Sequence, residues 1–126
     1  MRLLWIGAGG ALGSVARYLL DVWIQRLLPG SFPTGILVVN ALGSFLLGLA
    51  MTLLEARGAL DTTLRLTLAA GVLGGFTTYS SFNYQTLELL RQRDWAAGGL
   101  NLVGTVVLCL LAGGMGLGAG RWLAAN

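Results

Sequence analysis

Between Gly71 and Phe82 the chain reads Gly-Val-Leu-Gly-Gly-Phe-Thr-Thr-Tyr-Ser-Ser-Phe, a glycine pair followed by hydroxyls and aromatic rings inside an apolar run. Two further polar sets recur at helical spacing. Asn40, Ser44 and Gly48 stand four apart, as do Asn101, Thr105 and Cys109; beyond the glycine pair, Tyr79, Asn83 and Thr86 share a side, with Phe82 three after Tyr79. Each set places amides and hydroxyls on one helix face. Such groups donate hydrogen bonds without carrying charge, and aromatic ring edges are electropositive, so together they suit a small anion. One stripe is equally well explained by bonding between helices, worth about 1 kcal/mol. Three stripes beside a disrupted helix point instead to a transmembrane polar pathway.

Other chemistry is excluded by what is missing. With no histidine and one cysteine, the chain cannot assemble a Ser-His-Asp, Cys-His or metal-ligand cluster, so an enzyme is not expected. A proton-coupled cation transporter would want a carboxylate at mid-membrane. Here Asp21 follows Arg17 by four residues, where the two partly neutralise each other, and Glu55 and Glu88 lie near span ends. Gly7-Ala-Gly-Gly10-Ala-Leu-Gly13 has the spacing of some dinucleotide motifs, but no alternating strands and helices and no acidic residue about 20 positions on accompany it. It reads as helix packing.

The elements that must position these residues are membrane spans. The 126 residues are 56% hydrophobic and 10% charged, which excludes a soluble domain with a polar shell. The composition predicts an all-α integral membrane protein forming a single domain over residues 1–126. A span needs about 20 apolar residues, and such stretches run over 3–28, 35–55, 64–89 and 96–123. Leu28-Pro-Gly30 with Pro33, Glu55-Ala-Arg-Gly58 with Asp61, and Arg91-Gln-Arg93-Asp94 separate them. Met1-Arg2-Leu-Leu-Trp-Ile has features of a signal peptide, with Gly13-Ser-Val-Ala16 as a cleavage site, yet the apolar run continues to Leu28 and reads as a span. The Gly74-Gly75 pair is expected to break the third helix mid-membrane, tolerable only where protein or a polar cavity supplies the missing partners. Glycines four apart (Gly9 and Gly13, Gly71 and Gly75, Gly114 and Gly118, Gly116 and Gly120) permit close helix approach. Cys109 can form no intrachain disulfide and reads as a small packing residue.

All eight basic residues are arginine. With four spans, Arg2, Arg57, Arg65 and Arg121 fall on one side and Arg26, Arg91 and Arg93 on the other. Arg17, assigned to the second side, removes the bias altogether. Loop asymmetry normally orients a membrane protein, so a balanced chain is expected to insert both ways and to meet itself as an antiparallel pair. The arginines are too scattered for a nucleic-acid surface.

Three motifs carry a resemblance that covers nearly the whole chain. Gly9-Gly10-Ala-Leu-Gly13-Ser-Val-Ala-Arg17-Tyr18, Gly35-Ile-Leu-Val-Val-Asn40-Ala-Leu-Gly43-Ser44-Phe-Leu-Leu-Gly48 and Gly71–Phe82, with Asn101-Leu-Val-Gly-Thr105 as a weaker fourth, resemble the small fluoride channels of the Fluc or CrcB family. The resemblance implies a dual-topology homodimer of two antiparallel subunits in the lipid of the cytoplasmic (inner) membrane. Two separate pores would export, passively, the fluoride that accumulates by passage of its weak acid. It implies that Asn40 donates its amide to fluoride, that Tyr79 and Phe82 occupy two aromatic box positions with ring edges toward the ion, and that Ser80, Ser81, Asn101 and Thr105 lie on or beside the polar track. Arg17 would line a vestibule and attract anions. Gly74 and Thr77 would present backbone carbonyls, from both subunits, to a structural sodium ion; no organic cofactor is implied.

Three positions depart from the family pattern. Tyr79 stands where the first box residue is usually Phe, adding a hydroxyl and bulk; Gln85 stands where many members are acidic; and Ile36 stands where Thr is common. Two rival classes make distinct demands. A small multidrug-type exporter requires a buried Glu in the first span, which holds only Asp21 near its end. A structural subunit without transport accounts for the glycines but not for the matched donors.

Overall fold

The computed structural model describes residues 1–56, 58 and 62–126. Arg57 and Asp61, named above in the second connection, lie outside the described residues. The architecture is helical throughout, with no strand among the described residues. Three helices are long and apolar enough to cross a membrane: α1 (Arg2–Leu27), α2 (Thr34–Ala56) and α6 (Trp95–Ala125). The remaining expected span is divided into α3 (Thr62–Leu66), a π-helical segment (Thr67–Leu73), α4 (Gly74–Phe76) and α5 (Tyr79–Arg91).

The connections are held by named side chains. Gln25 donates to the carbonyls of Gly30 and Phe32 at 3.1 and 3.2 Å, tying the Pro29–Pro33 turn to the end of α1. Asp94 caps α6 by accepting from the Ala97 N–H at 3.0 Å, and Arg93 takes a left-handed φ of 63° to turn the chain there. Among the described residues, two ion pairs lie at connections: Arg65 to Glu55 at 3.0 Å and Arg91 to Glu88 at 2.7 Å.

Packing follows the glycines. α2 runs along α6 in the most extensive helix pair, and α1 lies against the π-helical segment and α4. A Cβ on Gly13 would overlap the Val72 carbonyl oxygen, and one on Gly116 would overlap the Phe45 carbonyl oxygen. These backbones approach within a distance that only glycine permits. Gly9 and Gly71 also meet neighbouring backbone, Gly120 is packed on the Thr52 side chain, and Gly114 and Gly118 face open space. Gly7, Gly10 and Gly13 all lie on α1, and the last packs on the broken segment as a helix-contact residue rather than a phosphate loop.

The expected interruption at Gly74-Gly75 is displaced. Both glycines are helical, with Gly74 at φ −67° and ψ −35°. Gly75 serves contact instead: a Cβ on it would lie 2.5 Å from the Gly10 carbonyl oxygen. The ladder is first loosened upstream, where the Gly74 N–H bonds the Ala69 carbonyl five residues back in a π turn. It stops three residues later. Thr77 is extended (φ −79°, ψ 154°) and so is Thr78 (φ −149°, ψ 119°), and α5 restarts at Tyr79.

Candidate functional site

An extended pair of residues between two helical pieces leaves peptide groups that a helix would have satisfied. Asn40 of α2 supplies the partners. Its Oδ1 accepts from the Thr78 N–H at 2.8 Å and its Nδ2 donates to the Thr78 carbonyl at 3.1 Å, so one side chain closes both ends of a single peptide residue. Asn40 is 8% exposed. An asparagine amide has two N–H groups, and the bond to Thr78 uses one.

Thr78 then starts the next helix. Its Oγ1 accepts from the Ser81 N–H at 3.3 Å as the N-cap of α5, and it also bonds the Ser80 and Ser81 hydroxyls at 3.1 and 3.3 Å. This fixes where Tyr79 and Phe82 emerge. Their rings meet at 5.7 Å with planes tilted by 59°; Phe82 is 5% exposed and Tyr79 is 76% exposed.

These residues border one groove of about 410 Å³. Its polar lining comes from Asn40 and Ser44 of α2, Thr77, Thr78 and Tyr79 at the interruption, and Thr105 and Cys109 of α6; Phe82, Leu73 and Leu47 supply apolar wall. Gly43 makes room for it, since a Cβ there would overlap Thr77 Cγ2. Among the described residues, no carboxylate and no arginine lines the groove. Asp21 and Glu88 border a different cavity of about 400 Å³ between α1 and α5, with Gln25, Tyr84, Gln85 and Gln92.

Of the residues singled out by sequence, Asn40, Tyr79, Phe82, Thr105 and Thr77 meet in the groove. Ser80 and Ser81 stand beside it through Thr78. Asn101 is 2% exposed and sits behind the lining, where its Nδ2 donates to Thr86 Oγ1 at 2.8 Å and its Oδ1 accepts from Thr105 Oγ1 at 3.4 Å. Gly74 is helical and outside the lining. Arg17 is on α1, away from the groove, with its Nε shielded and bonded to nothing; Gln85 Oε1 is in the same condition. The side expected for Tyr79, Asn83 and Thr86 divides, because Thr86 is buried against α6 while Asn83 is exposed. Thr78, named by sequence only as part of the Gly71–Phe82 run, is a groove residue whose bond to Asn40 sequence did not single out. The capping signal, a hydroxyl followed three residues on by Ser81 at a helix start, is present for Thr78.

A family model described as CrcB-like protein, Camphor Resistance (CrcB), matches residues 4–117. A fluoride-specific ion channel FluC of Sorangium cellulosum is 50% identical over 125 residues, which cover 99% of this chain and 98% of the relative. The protein of the same name from an Anaeromyxobacter species is 53% identical over 123 residues, 98% of each chain. One from Thermus thermophilus is 49% identical over 115 residues, 91% of this chain and 90% of the relative.

Replacing Asn40 by Ala strands the Thr78 N–H and C=O together. At about 1–3 kcal/mol for each of the two buried unsatisfied groups, the variant is expected to lose about 2–6 kcal/mol of stability in a denaturant titration of the detergent-solubilised protein. Ser44→Ala, which removes only a hydroxyl bonded to the Asn40 carbonyl at 2.8 Å, is expected to lose less than half as much. Equal losses would show that the Asn40 bonds do not hold the interruption.

Proposed function

The chain belongs to the CrcB family, and from that membership we propose that it is a passive, fluoride-selective ion channel of the cytoplasmic (inner) membrane, built as a single domain over residues 1–126. The observation that carries the reading is the groove: amide and hydroxyl groups with an aromatic wall and, among the described residues, no charged side chain, in a chain about half identical to fluoride-specific channels along nearly its whole length. It offers nothing to a cation-coupled or multidrug-type exchange, which needs a carboxylate at the transported ion.

The chemistry follows from the donors. A small anion leaves water only where several hydrogen-bond donors replace its hydration. Asn40 keeps one amide N–H beyond the one engaged by Thr78. Thr105 holds its hydrogen on Asn101 by a long bond of 3.4 Å, weak enough to be redirected toward an ion. The Phe82 and Tyr79 rings present electropositive edges. Ser80 and Ser81 extend the hydroxyl track beyond the interruption. Because no carboxylate or arginine among the described residues lines the groove to drive a step, flux follows the fluoride gradient. Arg17, shielded and unpaired at Nε, would add positive potential at one mouth.

A second copy completes the site in this reading. Tyr79 is 76% exposed, so a ring expected to face an ion lacks cover on one side. The balanced arginines favour two opposite insertions, hence an antiparallel homodimer with two pores and four spans per subunit, the interrupted one included. A sodium ion on the dimer axis suits the backbone. The Thr78 N–H points to Asn40 and so leaves the Gly74 carbonyl four residues back, and extended Thr77 turns its own carbonyl off the helix direction. Among the described residues no group of His, Cys, Asp or Glu could hold a metal, so backbone carbonyls are the ligands for a hard, oxygen-seeking cation. The Gly74 and Thr77 carbonyls of both subunits would hold it, and the ion would neutralise their facing dipoles.

Liposomes loaded with fluoride test the channel: the purified chain is expected to release fluoride and retain chloride. Asn40→Asp, which sets a carboxylate against the Thr78 carbonyl and the ion, is expected to abolish release. Release at the parent rate by that variant would remove Asn40 from the path, and equal loss of both anions from the parent would refute selectivity.

The pair is tested by a cysteine placed at Gly58 in a Cys109→Ser background, expected to label from both faces of the membrane. In the same preparation, prolonged replacement of sodium by N-methylglucamine is expected to lower both flux and dimer content. Labelling from one face, or indifference to sodium after long preincubation, contradicts the antiparallel and the sodium assignments respectively.

A further inference from the structure

Phe82 is tied from behind by a chain of polar groups whose middle members do not line the groove, and its significance rests on the channel reading above. The Phe82 carbonyl accepts from Thr86 Oγ1 at 2.8 Å, within α5. The Thr86 Oγ1 in turn accepts from Asn101 Nδ2 of α6 at 2.8 Å, and Asn101 Oδ1 accepts from Thr105 Oγ1 at 3.4 Å. Thr86, Asn101 and Thr105 are 5%, 2% and 5% exposed.

A threonine that bonds the carbonyl four residues back is ordinary in a helix and bends it slightly. Ser44, Thr52 and Thr77 do so too, toward Asn40, Gly48 and Leu73. Thr86 differs because a buried amide from another helix uses its hydroxyl as well. Its hydrogen is committed to Phe82 and a lone pair to Asn101, so the hydroxyl cannot rotate without stranding one of them. Both ends of this chain border the groove, at Phe82 on α5 and Thr105 on α6, while its two middle members do not.

We propose that Thr86 and Asn101 are positioning residues for fluoride selectivity: they set the distance and angle between the Phe82 ring edge and the Thr105 hydroxyl across the groove. Neither touches the ion. Asn101, expected from sequence to lie along the polar track, is thereby assigned to the frame that holds the track.

A purely structural role and a positioning role separate on a paired variant. Thr86→Val leaves the Asn101 amide unsatisfied and is expected to lose stability and selectivity together, while Thr86→Ser restores the hydroxyl and keeps both. Thr86→Val with Asn101→Leu removes both partners of the Thr86–Asn101 bond, which is nearly neutral for stability when shape is preserved, and leaves the Thr105 hydroxyl to turn to the groove that it borders. In that double variant the denaturation midpoint is expected to return near the parent's. Freeing the Phe82 carbonyl and the Thr105 hydroxyl from the Thr86–Asn101 link should nonetheless let the ring edge and the hydroxyl shift relative to each other and lower the fluoride-over-chloride permeability ratio in liposomes by about tenfold. Parent-like permeability in the double variant overturns this inference alone. A parent chain that does not conduct fluoride overturns the channel reading and this inference with it, so the two failures are told apart in one set of liposomes.

Discussion

A stretch of extended chain inside a helical bundle persists only if something other than the helix satisfies its peptide groups. Here that something is the Asn40 carboxamide, which accepts from the Thr78 N–H and donates to the Thr78 carbonyl. The rest of the site follows from it. Because Thr78 is held extended, its hydroxyl is free to cap α5 through Ser81; because α5 begins there, Tyr79 and Phe82 leave the backbone beside Asn40 rather than a turn away. α2 is in turn clamped to α6 by glycine contacts such as Gly116 on Phe45, so the donor residues of both helices face the same groove as the interruption. One side chain thus couples backbone geometry to the lining of the proposed path.

The division of charge between two cavities is the second constraint. Among the described residues the groove is lined by hydroxyls, an amide, a thiol, rings and aliphatic side chains, whereas Asp21 and Glu88 border the other cavity between α1 and α5. A carboxylate in the groove would repel an anion at short range with little water to screen it. Selectivity in this account is therefore built from dipoles whose directions must be fixed, and this is why residues such as Asn101 and Thr86 matter without touching the ion.

Much of this is legible in the sequence. The long apolar runs gave α1, α2 and α6 to within about two residues at each end, since hydropathy over a span is a sum that single residues cannot overturn. Asn40 with Ser44, and Thr105 with Cys109, were found on one lining because helical period alone places them. The site of the interruption was not legible. A glycine pair serves equally for a break or for close contact, and only the three-dimensional neighbour, the Gly10 backbone, shows that Gly75 serves contact. Asn40 and Thr78 lie 38 residues apart in sequence, so no local pattern announces their bond. Asn83 and Thr86 were separated by the orientation of α5 against α6, a tertiary property that spacing does not contain.

The most direct test of the central claim is amide hydrogen exchange at Thr78, measured on the intact protein in a membrane mimetic. If Asn40 holds both ends of that residue, the Thr78 N–H is expected to exchange as slowly as the flanking amides of α4 and α5, and in Asn40→Ala it alone among them is expected to become fast. A Thr78 amide that already exchanges at the rate of an exposed loop, or whose protection is unchanged in Asn40→Ala, would contradict the account.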